Sequence, residues 1–125
     1  MNYPQIKLKL LRAMAWSGFI LLTGLSLLPM PELVGENFND LFLHFIAYGS
    51  VMWCFLQGYP GLPSRKLMTG LIIWGVLMEV GQSFTSYRFF EWLDMVANST
   101  GVILGWALTL CHRPVAGIPE VEVPE

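Results

Sequence analysis

The stretch "DLFLHFIAYG", residues 40 to 49, places an aspartate and a histidine four residues apart at the mouth of an otherwise apolar run. Residues four apart share one face of an α-helix, so Asp40 and His44 point to the same side if the run is helical. The rest of the stretch has the apolar character of a segment buried in lipid. Because charge is costly in hydrocarbon, this face is predicted to turn away from lipid.

The composition of the chain is that of a membrane protein. Of its 125 residues, 54% are hydrophobic and 13% are charged, whereas soluble domains carry about 25% charged residues. The length fits a single domain. No basic run is interleaved with aromatic residues in a polar context, so nucleic acid is not expected as a partner.

Four apolar segments predict a bundle of four transmembrane helices, at residues 13–30, 41–56, 67–84 and 92–111. Each is too long and too continuously apolar for a barrel strand, and Pro, Gly, Asn or charged residues separate them. The second is short for the roughly 20 residues of a spanning helix unless its polar first turn lies at the interface. We predict an all-α transmembrane domain over residues 1–112 and a flexible, acidic cytoplasmic tail over residues 113–125.

The positions of Lys and Arg predict that both termini are cytoplasmic. In that orientation the outer loops hold only Arg88, as the positive-inside rule requires. The inner segments hold Lys7, Lys9, Arg12, Arg65, Lys66 and Arg113. A cleaved signal peptide is the alternative interpretation of the first segment, although no small-residue cleavage pattern follows it. Cys54 and Cys111, near the inner ends of two helices, are predicted to be reduced, packed thiols.

This topology gathers the intramembrane polar residues at the outer ends of three helices. They are Asp40 and His44 in the second helix, Glu79 and Gln82 in the third, Asp94 and Asn98 in the fourth, and Arg88 in the loop between the last two. Helical spacing predicts three faces, at positions 40, 44, 47, 48 and 51, at 79, 82 and 83, and at 94, 98, 101 and 105. Charges facing lipid cost about 2.5 to 3.5 kcal/mol each on insertion scales, so these faces should turn inward and meet.

Gly101 and Gly105 continue the face of the fourth helix as a G-x-x-x-G pair. Small residues at this spacing let two transmembrane helices approach closely. We therefore expect the fourth helix to pack tightly on a neighbour just below the polar layer.

The ordered motifs "NDLFLHFIAYG", "EVGQSF", a following Arg and "EWLDMVANSTG" resemble the VanZ-like family of small bacterial membrane proteins. The family pattern runs Asp-x-x-x-His-x-x-x-Tyr-Gly, Glu-x-x-Gln, Arg and Asp-x-x-x-Asn-x-x-Gly, and the resemblance covers residues 39–105. It singles out Asp40, His44, Tyr48, Gly49, Glu79, Gln82, Arg88, Asp94, Asn98 and Gly101. Leu41 departs from the family, which usually has Lys there, and this leaves Arg88 as the obvious partner of the acidic cluster.

The resemblance implies a multi-pass protein of the bacterial cytoplasmic membrane with a role at the cell envelope. The family's named member is associated with low-level resistance to teicoplanin, a glycopeptide that binds cell-wall precursors outside that membrane. The resemblance thus points to the cell envelope and implies no mechanism. We expect a membrane lipid or a lipid-linked cell-wall precursor as the partner.

Three functions remain open from the sequence. In the first, a polar site binds a lipid head group, with Arg88 as a phosphate clamp; its ligand-binding residues are Asp40, Tyr48, Gln82, Arg88 and Asn98. In the second, the protein is an enzyme, with Glu79 or Asp94 as general base and His44 as general acid, its proton steered by Asp40. In the third, the polar layer only fixes the register of the helices.

The same residues also allow purely structural roles and a metal site. Asn39 or Asp40 can cap the second helix, and Glu79 is either paired with Arg88 or His44 or uncharged. No metal ligand or cofactor is assigned. A divalent ion held by Asp40, His44, Glu79 and Asp94 is an alternative, although no tight ligand spacing is present and ion-pair networks have the same composition.

Overall fold

The computed structural model describes residues 3–29, 38–88 and 90–112. These contain four helices, α1 (Tyr3–Leu27), α2 (Phe38–Gly58), α3 (Ser64–Ser83) and α4 (Trp92–Cys111). The predicted all-α, four-helix architecture is confirmed. Met30, where the first apolar segment was predicted to end, and the predicted tail at 113–125 lie outside the described residues.

Three of the helices, α1, α2 and α4, are long and apolar enough to cross a membrane. The second apolar segment, which is short by itself, is long enough once its polar first turn is included, because α2 begins at Phe38 and has 21 residues. The basic residues before the first apolar segment are also helical, since α1 begins at Tyr3. Helix α3 has 20 residues and carries Arg65, Lys66 and Glu79, which lower its apolar character.

Helix α2 lies at the centre of the bundle and meets α4 at a seam of glycines. Gly101 faces the carbonyl group of Phe45, and Gly105 faces that of Gly49, so closely that a Cβ at either position would overlap the α2 backbone. A Cβ at Gly49 would in turn lie 2.9 Å from the carbonyl oxygen of Gly101. This confirms the close approach predicted from the G-x-x-x-G pair and identifies α2 as the neighbour.

The core continues from this seam into α1 and α3. It consists of Ala15, Tyr48, Val51, Met52, Cys54, Phe55, Leu56, Leu71 and Val102. Helices α1 and α3 are joined by the Trp74 indole, whose Nε1 donates a hydrogen bond to Thr23 Oγ1 at 3.1 Å. Many large apolar side chains, among them Ile20, Phe42 and Ile103, remain exposed on the outer surface, as expected of helices whose surroundings are lipid.

The predicted inward faces are largely confirmed. Glu79, Gln82, Asp94, Asn98, Gly101 and Gly105 are buried. Ser83 was predicted to share the inward face of α3 but is exposed, because that face follows Leu71, Gly75, Glu79 and Gln82 instead. The prediction of two packed thiols is correct for Cys54 and wrong for Cys111, which is exposed at the end of α4; both are free.

The two ends of the bundle differ in chemistry. At one end, Arg12 Nε donates to the Gly58 carbonyl oxygen at 2.8 Å, which places the basic start of α1 beside the end of α2. Helix α3 starts at this end with Arg65 and Lys66. At the opposite end lie Arg88 and the predicted site residues Asp40, His44, Glu79, Asp94 and Asn98. Within the described residues, the Lys and Arg side chains other than Arg88 therefore share one end, which we call the basic end.

Candidate functional site

His44 lies at the centre of the polar cluster opposite the basic end. Its Nδ1 is 2.9 Å from Oδ1 of Asn98 across the α2–α4 seam. An amide oxygen only accepts hydrogen bonds, so His44 Nδ1 carries a proton and donates it. In the neutral imidazole this fixes the tautomer and leaves Nε2 with a free lone pair. The glycine seam sets the distance, because Gly101 packs on the residue that follows His44.

Two carboxylates face the other nitrogen of this ring. His44 Nε2 is 3.9 Å from Asp40 Oδ1 and 3.8 Å from Asp94 Oδ2. Both distances are within ion-pair range but are too long for hydrogen bonds. The Asp40 side chain is 33% exposed and that of Asp94 is 4% exposed. The fold therefore brings three electron-rich atoms, one of them deeply buried, to a common point.

Both aspartates also lie at helix starts. Asp40 is in the first turn of α2 and Asp94 in the first turn of α4, where the helix dipole favours negative charge. Asp40 is inside the helix and is not its cap, and the side chain of Asn39 lies outside the described residues. The dipole accounts for the choice of an acidic residue at each position. It does not account for their convergence on His44.

Arg88 supplies a positive charge at the edge of the cluster. It follows α3 in the connection to α4, and its Nη2 lies 4.0 Å from Asp40 Oδ2. Its side chain is 19% exposed. The predicted pairing of Arg88 with the acidic cluster is thus made to Asp40, at the outer limit of an ion pair, and the guanidinium keeps donors for another ligand.

Glu79 is buried deeper on α3, at 1% exposure. Its Oε2 accepts a hydrogen bond from the backbone N–H of Glu91 at 3.4 Å. In the part of the chain that the structure describes, neither Arg88 nor His44 comes within 4.0 Å of this carboxylate, so the pairings considered from the sequence are not made directly. Asp94, His44 and Arg88 all lie within electrostatic range of it.

Gln82 and Tyr48 complete the set predicted from the sequence. Gln82 turns away from the cluster towards α1, and its Nε2 donates to the Ser26 carbonyl oxygen at 2.5 Å. Tyr48 is 1% exposed, and its ring packs against Gly75 of α3. A Cβ added at Gly75 would lie 3.4 Å from the Cε1 atom of Tyr48. Among the described residues, the Tyr48 hydroxyl has no hydrogen-bond partner.

A groove of about 220 Å³ opens beside the cluster between α1, α2 and the connection after α3. Its walls are Leu22, Leu25, Ser26, Asp40, Leu43, His44, Ala47, Tyr48 and Arg88. The α1 residues on this wall were not predicted as site residues, because leucines in an apolar helix give no signal beyond burial. The lining of the groove therefore contains both leucines and charged or polar side chains.

No family model, no curated protein and no solved structure matches this chain. The resemblance to VanZ-like proteins therefore depends on the motif residues quoted above. Of those residues, three have side-chain atoms within 4 Å of the His44 ring, namely Asp40, Asp94 and Asn98. Two more, Arg88 and Tyr48, line the adjoining groove.

Proposed function

We propose that the protein is a four-span, VanZ-like protein of the bacterial cytoplasmic membrane that binds the phosphate-bearing head group of an envelope lipid or lipid-linked cell-wall precursor. The head group would occupy the groove beside His44, with the hydrocarbon chain leaving between α1 and α2. Teicoplanin resistance, known for the family's named member, would be a downstream consequence of such binding.

The observation that carries the proposal is the mixed chemistry of the groove. The lining combines the apolar side chains of Leu22, Leu25 and Leu43 with the polar groups of Asp40, His44 and Arg88. Ligand sites typically combine mostly apolar walls with a few placed polar groups. A molecule that matches both the apolar and the polar lining is an amphiphile with a charged or strongly polar head.

The distribution of charge supports a membrane setting with four spans. Arg65 and Lys66 lie in the first turn of α3, where long basic side chains reach the interface. Glu79, the acidic residue within α3, is buried against the other helices and does not face lipid. With the basic end in the cytoplasm, as the positive-inside rule favours, the groove opens at the level of the outer leaflet.

Arg88 is the residue proposed to hold the phosphate. A guanidinium offers five N–H donors in a planar fork that matches two phosphate oxygens. Its contact with Asp40, at 4.0 Å, is loose, so engaging a phosphate costs little existing interaction. The connection after α3 places Arg88 in the lining of the groove, within reach of the head group in this proposal.

The test is a titration of the purified protein in detergent micelles with a polyprenyl monophosphate and, separately, with the uncharged polyprenol. Charge-assisted hydrogen bonds contribute about 1.5 to 3 kcal/mol, so Arg88→Gln should weaken binding of the monophosphate roughly 10- to 150-fold. Arg65→Gln is the matched control, because Arg65 is exposed at the basic end. Neither variant should change binding of the alcohol.

Equal affinity of the wild type and Arg88→Gln for the monophosphate would refute the clamp. Equal affinity of the wild type for phosphate and alcohol would refute head-group recognition. If the polar cluster only fixes helix packing, Arg88→Gln will lower stability and leave any lipid binding unchanged, and a thermal unfolding measurement on the same samples separates that case.

A further inference from the structure

We infer that Asp40, His44 and Asp94 form a binding site for one divalent transition-metal cation, such as Zn²⁺, with His44 Nε2 and one carboxylate oxygen from each aspartate as ligands. The proposed role of this cation in head-group binding rests on the proposed function. The cation binding itself depends only on the three side chains and is measurable without lipid.

The geometry suits an ion. One ligand atom from each residue lies within 4.8 Å of the others, and the two distances to His44 Nε2 are 3.9 Å and 3.8 Å. A point equidistant from three atoms so spaced lies about 2.2 to 2.5 Å from each, at or a few tenths of an ångström beyond the roughly 2.0 to 2.2 Å of zinc bonds to nitrogen and oxygen, so small side-chain movements complete the site. No backbone movement is needed to bring the ligands together.

The histidine is oriented as a ligand. Because Nδ1 donates its proton to Asn98 Oδ1 at 2.9 Å, the neutral ring directs the lone pair of Nε2 at the two carboxylates. Metal-binding histidines almost always donate their other N–H to an oxygen of this kind, which fixes the tautomer and the ring plane. Asn98 is therefore assigned as the positioning residue of the site.

Asp94 gives an independent sign that a partner belongs here. The residue is 3% exposed, and within the described residues its Oδ1 is buried without a hydrogen-bond partner. A buried carboxylate oxygen that lacks a partner is strongly unfavourable. A cation bound at Oδ2 lies next to Oδ1 and compensates the charge of both.

The ligand set selects the class of cation and links it to the groove. Imidazole with carboxylates suits first-row transition ions, whereas Mg²⁺ and Ca²⁺ prefer oxygen ligands alone. Three protein ligands leave a coordination position open, and Asp40 and His44 both line the groove. The carboxylate of Asp40 in the groove and that of Asp94 behind it would repel a phosphate, and a divalent ion between them removes that repulsion.

The experiment titrates Zn²⁺ into chelator-stripped, detergent-solubilised full-length protein by calorimetry. The wild type should bind one ion per chain. His44→Asn and Asp40→Asn should each weaken binding at least 100-fold, and Asn98→Ala should weaken it about 10- to 100-fold, as outer-shell substitutions do. His112→Asn is the matched control, because the second histidine lies at the end of α4 near the basic end.

Wild-type protein that binds no stoichiometric Zn²⁺ would overturn the inference, as would His44→Asn protein that binds as tightly as wild type. Asp40→Asn keeps the test informative if the others fold poorly, since that side chain is 33% exposed; circular dichroism verifies each fold. Titrating polyprenyl monophosphate with and without EDTA separates the two proposals. Zinc binding without lipid binding refutes only the proposed function, and EDTA-insensitive lipid binding without zinc binding refutes only the cation site.

Discussion

Replacing Gly101 by alanine tests how the α2–α4 seam supports both the fold and the site. The added methyl group would overlap the Phe45 carbonyl group, and a backbone atom cannot rotate aside as a flexible side chain can. Overpacking a well-packed contact costs about 1 to 3 kcal/mol, and we expect the upper part of that range here, about 3 kcal/mol.

The structure also predicts a second effect of the same change. Relieving the overlap requires the two helices to separate locally by roughly an ångström. The hydrogen bond from His44 to Asn98 spans this seam at 2.9 Å, and a longer separation of that size leaves no hydrogen bond. Gly101→Ala should therefore weaken the binding of zinc and of lipid phosphate as well as the fold.

The assay is reversible unfolding in mixed detergent and dodecyl sulfate micelles, followed by the helical signal in circular dichroism. Gly70→Ala is the control, because a Cβ at Gly70 meets nothing within 4 Å and both variants make the same Gly-to-Ala change in helix propensity. The reasoning would be refuted if the free energies of unfolding of Gly101→Ala and Gly70→Ala differed by less than about 0.5 kcal/mol.

Two further substitutions and one labelling experiment have definite expected outcomes. Gln82→Met should lower the free energy of unfolding by about 1 kcal/mol in the same assay, because the carbonyl of Ser26 loses its donor; an unchanged value would show that losing this bond is offset by removing Gln82 Oε1, which has no partner among the described residues. Tyr48→Phe should leave or raise stability, since within the described residues the hydroxyl has no partner, and a loss above about 1 kcal/mol would reveal one. In intact cells a membrane-impermeant maleimide should fail to label Cys111, which is exposed, and should label it once the cytoplasmic face is opened. Labelling from outside would reverse the proposed orientation, and buried Cys54 should stay unlabelled in both cases.

Much of the fold could be predicted from the sequence, because apolar runs and paired glycines have few structural solutions in a membrane. Long apolar runs with clear breaks predict helices, and the paired Gly101 and Gly105 predict close packing, because in lipid every backbone group is satisfied within its own helix and small residues decide where helices meet. The inward face at Asp94 and Asn98 was predicted correctly because charged and strongly polar side chains are costly in lipid. Which residue at the end of α3 faces inward was harder to predict, because Gln82 and Ser83 lie about 100° apart around the helix and both are polar.

The site was only partly predictable from the sequence. The polar residues of α2 and α4 could be placed at one level, but which atoms meet depends on side-chain rotation and the spacing of the seam. His44 thus bonds to Asn98, while Asp40, four residues away, stays at 3.9 Å. The contribution of α1 was invisible, because Leu22 and Leu25 differ in no way from leucines that face lipid.

Native mass spectrometry of protein purified from its own membrane tests whether the groove holds a phosphate-bearing lipid. We predict that the wild type and Arg65→Gln retain one such lipid per chain after matched washing, and that a His44→Asn, Arg88→Gln double variant with unchanged helical content loses it. Equal retention of the same lipids by all three proteins would contradict the account and leave the polar cluster as a packing element.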